Sequence, residues 1–261
     1  MDSANGGIPE IESGLRINAL SLTKARFVVI GASGGIGSAL SLRLKSHGAQ
    51  PILLGRSAAR LALLGEELGA QTQTLDASKA DELEHAVAAF GPINGIVNCA
   101  GSLLLKPAHS TTEAEWKQTI ESNLTTAFAT VRAGAKALAA TGGSIVLCAT
   151  AAARTGLANH EAIAAAKGGV IGLTLSAAAT YAPRNIRVNC VAPGLVDTPL
   201  AARITSNQAA LKASAAMHAL GRIGRADDVA SGIAWLLDLD NTWVTGQILG
   251  IDGGLGTVRS R

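Results

Sequence analysis

The sequence predicts an α/β fold: a single Rossmann-type doubly wound domain, with a seven-stranded parallel sheet and helices on both faces. Three observations predict it. Short apolar runs of strand formers alternate with longer helix-like stretches along the chain, the pattern of a parallel sheet covered on both sides. The first run, Phe27-Val28-Val29-Ile30, passes directly into a turn with glycines at Gly31, Gly34, Gly35 and Gly37. The 261 residues, 48% of them hydrophobic, suffice for one large core, and no repeat or linker divides them. Only 3% are aromatic, so Ala, Leu, Val and Ile must do the packing.

Taken in order, residues 1–14 are polar and glycine-containing and are expected to form a flexible tail. The single domain is expected over 15–261. The strand 27–30 leads through the glycines to an amphipathic helix over 38–47, apolar at Ala39, Leu40, Leu42 and Leu44. Such a strand, turn and helix aim bare backbone N–H groups at a phosphate. Glycine is needed there because a side chain would hold a pyrophosphate away. Pro51-Ile52-Leu53-Leu54 is a second strand, ending at Gly55-Arg56-Ser57. Dinucleotide sites place an acid about 20 residues past the glycines, for the ribose 2′-hydroxyl. Here Arg56 takes that region, and an arginine attracts a 2′-phosphate through charge-assisted bonds. The expected cofactor is therefore NADP(H), preferred over NAD(H).

A helix follows over 58–68, then a third strand over 71–75 ending at Asp76-Ala77-Ser78. A helix over 80–90 precedes a fourth strand, 93–97, which ends at Asn98-Cys99-Ala100-Gly101. One long helix is expected over 112–138, capped by Thr111 or Thr112 with Glu115 near the capping-box place, and carrying Asn123 near its middle. A fifth strand, 144–148, ends at Ala149-Thr150. The helix 161–182 stops at Pro183, and a sixth strand, 186–191, ends at Ala192-Pro193-Gly194. The Ala-rich segment 199–220, with Met217 and His218 near its end, reads as a mobile helical lid over the substrate. A seventh strand, 248–251, closes at Asp252-Gly253-Gly254, and Trp235 and Trp243 read as packing residues.

Composition narrows the function. A net charge of +3 without a basic stripe argues against nucleic acid. No apolar segment reads as long enough for a membrane span. The N-terminus, with Asp2, Glu10 and Glu12, has neither a basic leader nor an apolar signal core. Cys99, Cys148 and Cys190 sit in or beside apolar strands and read as reduced core thiols, with no disulfide frame and no metal set. These readings together predict a soluble cytoplasmic protein.

With these motifs in place, the chain resembles the short-chain dehydrogenase/reductase family from about Lys24 to Gly254. Gly31-Ala-Ser-Gly-Gly-Ile-Gly37 is similar to the family's TGxxxGxG cofactor turn, with Ile30 where Thr is usual. Asp76 resembles the acid that meets the adenine, and Asn98-Cys-Ala-Gly101 is similar to NNAG with Cys99 for the second Asn. Asn123 falls on the catalytic-helix Asn, and Pro193-Gly194-Leu-Val-Asp-Thr198 resembles the PGxxxT segment that holds the nicotinamide carboxamide. Leu220-Gly-Arg-Ile-Gly224 and Thr245-Gly-Gln with Asp252-Gly-Gly254 match later landmarks. The resemblance implies cofactor contacts at Gly31, Ser33, Gly35, Ile36, Gly37, Arg56, Ser57, Asp76, Ala77, Asn98, Ala100, Gly101, Lys167, Pro193, Gly194, Val196 and Thr198. It also implies a catalytic group of Asn123, Thr150 and Lys167.

In the family, a Ser and a YxxxK pair do the chemistry: Lys holds the nicotinamide ribose and lowers the Tyr pKa, Tyr exchanges the proton, Ser bonds the carbonyl oxygen, and Asn supports a water relay. Here Lys167 is present, but Ile163 stands where Tyr belongs and Thr150 where Ser belongs. The only tyrosine, Tyr181, lies fourteen positions beyond Lys167, about 21 Å along a helix at ~1.5 Å per residue. His160, just ahead of the helix, is a candidate substitute acid, and Glu161 complements the helix N-terminus. Three readings follow: an oxidoreductase with a degenerate centre acting on a carbonyl, enone or imine; a non-catalytic cofactor-binding subunit or sensor; and a non-redox lyase or isomerase in the same pocket. The resemblance further implies a homo-oligomer, a tetramer or dimer, or a hetero-oligomer with an active relative. Leu124, Ala127, Phe128 and Val131 on one helix and Leu173, Leu175 and Ala178 on the other are the faces offered for it.

Overall fold

A computed structural model describes residues 20–258. The tail expected over 1–14 lies outside the described residues. From the start of the sheet the elements run β1 (Arg26–Ile30), α1 (Gly35–Ser46), β2 (Gln50–Gly55), α2 (Ala58–Leu68), β3 (Thr72–Thr74), α3 (Ala80–Ala89) and β4 (Gly95–Asn98). Then come α4 (Glu113–Ile120), a π-helical turn (Glu121–Thr125), α5 (Thr126–Ala137), β5 (Gly143–Cys148), α6 (Glu161–Tyr181) and β6 (Ile186–Pro193). The chain closes through β7 (Val196–Asp197), α7 (Ala202–Thr205), α8 (Gln208–Met217), β8 (Gly224–Arg225), α9 (Ala226–Leu237) and β9 (Ile248–Ile251).

Seven strands form one parallel sheet in the order β3-β2-β1-β4-β5-β6-β9, and β7 and β8 form a small parallel pair beside it. The expected architecture is thus the observed one. Alternation along each strand divides the core in two. Val28 and Ile30 face the layer of α3, α5 and α6, with Leu83, Ala129 and Val170. Phe27 and Val29 face the layer of α1, α2 and α9, with Leu40, Leu61 and Ile233. The strand order reverses between β1 and β4, so a crevice opens beyond their C-terminal ends, where open α/β sheets take ligands.

The structure corrects several expectations. Helix α1 starts at Gly35, not at 38, so three residues of the glycine turn form its first turn. The long helix over 112–138 is capped by Thr112, whose hydroxyl accepts from Glu115 N while the Glu115 carboxylate accepts from Thr112 N. It runs on as expected through Ala137, with a π turn at Glu121–Thr125 in place of regular helix. Helix α9 and the pair β7–β8 were not anticipated: two-residue strands leave no alternation to read, whereas the helical spacing of Val229, Ala230, Ile233, Ala234 and Leu237 in α9 was a signal that the reading passed over. Trp243 is 98% exposed and packs no core, and Trp235 is also exposed. Ala127, Val131 and Ala178 belong to the core, which leaves Phe128 and Leu175 as the exposed members of the faces offered for assembly. One stretch, Glu161–Arg184, does pass the length and composition test for a membrane span, with mean hydropathy 1.5. It is the core helix α6, laid along β5 and β6 with Lys167 buried on it.

Candidate active site

The crevice is built from backbone that comes close because side chains are missing. Gly31 has a φ of +74°, and a Cβ there would lie 2.7 Å from Ala100 N. A Cβ on Gly35 would lie 2.5 Å from Thr198 Cγ2. The glycine turn, the segment Asn98–Gly101 and the segment Pro193–Thr198 therefore converge on one cleft. Asn98 is buried and its Oδ1 accepts from Ala100 N at 2.9 Å, which fixes the turn after β4. Helix α1 has Gly34 as N-cap, no side-chain cap and no acid in its first turn. Among the described residues, no group accepts from the N–H of Gly35, Ile36 or Gly37. Three orphan donors and a helix N-terminus then face the cleft, a fit for an anionic pyrophosphate.

The far end of the cleft suits the adenosine half. Arg56 is exposed at the end of β2 and makes no ion pair among the described residues. Ser33 lies beside this end, its hydroxyl 3.7 Å from where a Gly55 Cβ would stand, and Ser57 stands at the N-cap position of α2 with no side-chain cap bond. Asp76 accepts from Ser78 N at 3.0 Å, and that bond, helped by the Arg56 charge, holds its carboxyl below the usual range. Ala77 and Val196 are buried beneath the cleft walls.

The catalytic corner lies where α6 crosses the π turn. Leu124 packs against Gly169, whose Cβ would stand 2.8 Å from Leu124 Cδ2, so the two helices touch closely. The buried Asn123 donates from Nδ2 to Thr119 O and to Ser102 Oγ, both at 2.9 Å, and its Oδ1 accepts from Ser102 N at 3.2 Å. A Cβ on Gly101 would stand 2.8 Å from Asn123 Oδ1 and 3.5 Å from Lys167 Nζ, so these three residues meet. Lys167 is 8% exposed; its Nζ donates to Cys148 O at 2.7 Å, and burial holds its ammonium below the usual lysine range. Thr150 donates to Pro193 O at 3.4 Å and accepts from Ala152 N at 3.3 Å, long bonds that hold its hydroxyl against the Pro193–Thr198 segment.

Ile163 lies on the same face of α6 as Lys167, four residues earlier, and is 3% exposed. The two polar residues just ahead of it are engaged elsewhere. His160 turns Nδ1 to its neighbour Ala158 O at 2.7 Å, and Glu161 is exposed and accepts from Ala108 N at 3.4 Å. Tyr181 closes the far end of α6, packed on the core.

The comparisons with known proteins agree with this geometry. The sequence family described as enoyl-(acyl carrier protein) reductase matches residues 31–256. The chain belongs to the short-chain dehydrogenase/reductase family. It is 31% identical to the L-xylulose reductase of Bos taurus over 238 residues, covering 90% of this chain and 98% of that one. A short-chain type dehydrogenase/reductase from Mycobacterium ulcerans superposes with a TM-score of 0.87 at 29% identity, over 92% of this chain and 93% of the other. A variant of actinorhodin polyketide ketoreductase, solved with NADPH, superposes with a TM-score of 0.85 at 29% identity, over 92% of this chain and all of the other, 100%. This short-chain dehydrogenase/reductase chain is thus of the oxidoreductase class that works with a nicotinamide dinucleotide.

Two features of this family member escaped the sequence reading. His218, buried at the end of α8, donates from Nδ1 to Ser214 O at 2.7 Å and accepts at Nε2 from Leu195 N at 3.2 Å. It ties the 199–220 segment to the Pro193–Thr198 strand end, and a Cβ on Gly194 would stand 2.5 Å from its Nε2. A histidine ending an Ala-rich helix was the available signal. The second is that Cys99 and Cys148 are only half-buried, and Cys190 alone is a fully enclosed core thiol.

Proposed function

We propose that the chain binds NADP(H) in preference to NAD(H) and acts as an oxidoreductase on a small carbonyl, enone or imine, with Thr150, Ile163 and Lys167 in the places of Ser, Tyr and Lys. The observation that carries this reading is the buried Ile163 beside Lys167: the residues offered to a dinucleotide are present, and a hydrocarbon stands where the proton donor would be. The bound cofactor supplies a hydride to the substrate carbon. The chain's own residues do the rest. The N–H groups of Gly35, Ile36 and Gly37 hold the pyrophosphate and Arg56 the 2′-phosphate. Asn98, Ala100, Gly101, Pro193, Gly194 and Thr198 line the crevice. Lys167 holds the nicotinamide ribose, and Thr150 donates to oxygen that gains charge.

Loss of a positioned general acid costs about 10²–10⁴ in rate. An activated C=C, whose hydride adduct is a delocalised enolate, or an imine protonated beforehand, needs that acid least. In the same reading, 199–220 closes over the substrate and the protein works as a homo-oligomer in the cytoplasm, where free thiols are at home.

The competing reading, a cofactor-binding subunit without turnover, is favoured by the engagement of Lys167 with Cys148 O and of Thr150 with backbone. Ile163→Tyr separates the two. NADPH consumption is measured with ketones, enones and imines for the wild type and the variant. Wild-type turnover on enones or imines, with ketone reduction gained by the variant, supports the oxidoreductase reading. NADPH binding with no turnover by either protein supports the subunit, and no NADPH binding removes both.

A further inference from the structure

Cys99 and Cys148 end neighbouring strands at the floor of the cofactor crevice. Strands β4 and β5 pair in parallel up to Val97 and Val146, and each cysteine lies two residues further on. Adjacent strands run about 4.8 Å apart, inside the ~4.4–6.8 Å range of Cα separations that a disulfide spans. The two thiols are close enough for each to shift the other's titration. Both pack on the core layer that α1, α2 and α9 cover, and both are half-buried. The Cys99 backbone also touches the glycine turn: a Cβ on Gly31 would lie 2.9 Å from Cys99 C.

We propose that Cys99 and Cys148 form an oxidisable thiol pair that takes a hydroperoxide and closes to a disulfide, weakening dinucleotide binding. The last clause rests on the cofactor site proposed above; the disulfide itself does not. In the first step the Cys148 thiolate attacks one peroxide oxygen. The O–O bond breaks, hydroxide leaves and is protonated to water, and Cys148 becomes a sulfenic acid. The Cys99 sulfur then attacks the Cys148 sulfur, the S–O bond breaks, and the proton lost from Cys99 leaves with the hydroxyl as a second water. Two thiols and one hydrogen peroxide give one disulfide and two waters.

The surroundings assign the roles. The neighbouring Cys99 thiol, and then the Lys167 charge, pull the Cys148 thiol down, whereas the neighbouring Cys148 thiol and burial push the Cys99 thiol up. Cys190, on the next strand, is enclosed, and burial pushes its thiol up to about 12, so it stays out of the chemistry. Bridging draws the two Cβ atoms to about 3.8 Å. That moves the Cys99 backbone, which is packed on the turn whose N–H groups meet the pyrophosphate.

The reduced protein is treated with increasing hydrogen peroxide, alkylated, digested and analysed by mass spectrometry without reductant, and NADPH affinity is followed by fluorescence before and after. The expected result is a peptide pair linked through Cys99 and Cys148, an NADPH affinity lower by about tenfold or more, and recovery with dithiothreitol. Saturating NADPH slows the oxidation. Cys99→Ser leaves a Cys148 sulfenic acid that dimedone captures, Cys148→Ser gives neither product, and Cys190→Ser behaves as wild type. Cys99 and Cys148 remaining free under peroxide that oxidises added dithiothreitol would overturn the pair. A disulfide that leaves NADPH affinity unchanged overturns the control of binding. A reduced protein that ignores NADPH removes the cofactor site and that control together, while the linked peptides still decide the disulfide.

Discussion

Arg56 and Ile163 divide the site between binding and chemistry. Arg56 has no ion pair among the described residues, so Arg56→Ala removes nothing the fold depends on. A hydrogen bond to a charged group is worth about 1.5–3 kcal/mol, so NADPH affinity is expected to fall about tenfold or more while NADH affinity stays put. Equal losses for both carriers in a fluorescence titration would disprove the 2′-phosphate contact. Arg56 was legible because it stands at a strand end; Ile163 and Lys167 were legible through the resemblance to the family's YxxxK pair. The Cys99–Cys148 contact was not. It depends on the register between β4 and β5, two strands separated by more than forty residues, and no local pattern encodes that register.

Among the elements, α4 carries the clearest local signal. Thr112 and Glu115 satisfy each other's backbone donors, and Lys106 adds an ion pair to the Glu115 carboxylate at 2.9 Å. Thr112→Ala is expected to cost about 1 kcal/mol in denaturant unfolding. The Lys106 bond, then the Thr112 bonds, pull the Glu115 pKa from 4.5 to about 2. Its folded value is depressed, so its contribution is full above the ordinary carboxylate pKa and fades as pH drops toward about 2. The gap in melting temperature between wild type and Glu115→Gln should therefore be widest near neutrality and close in strong acid; a gap that grows on acidification contradicts this.

Helix α8 teaches the opposite lesson. Its sequence reads as a loose lid, yet His218 bonds it to Leu195 N. That long-range partner is invisible in an Ala-rich stretch. His218→Phe strands a buried donor at about 1–3 kcal/mol and should lower both melting temperature and NADPH affinity. His218→Gln, which can still accept, should restore part of each. Wild-type affinity in the Phe variant would mean that the strand end holds its place unaided.

For the molecule as a whole, the sheet order follows from alternating strands and helices, which is why the fold was legible from end to end. Helix α6 is apolar on every side, yet only one side meets the sheet. Gly168 and Gly172 face open space, and Leu175, at 52%, and Phe128 of α5, at 54%, are exposed. An all-round apolar helix normally lies covered, and a second copy of the chain would cover this one. Leu175→Asp combined with Phe128→Asp should reduce the sedimenting mass to that of a single chain. An unchanged assembly would place the contact elsewhere.

The π turn between α4 and α5 holds one residue more than a regular helix would need there. Its surplus is what swings Asn123 inward against Ser102 while Leu124 still meets Gly169. Shortening the chain by Thr125 would let the backbone ladder close as ordinary helix with both flanks in register. Such a deletant should melt close to the parent and yet lose its grip on Asn123. At this one bend, endurance and competence are separable, and a thermal scan set beside an activity or cofactor titration would tell them apart.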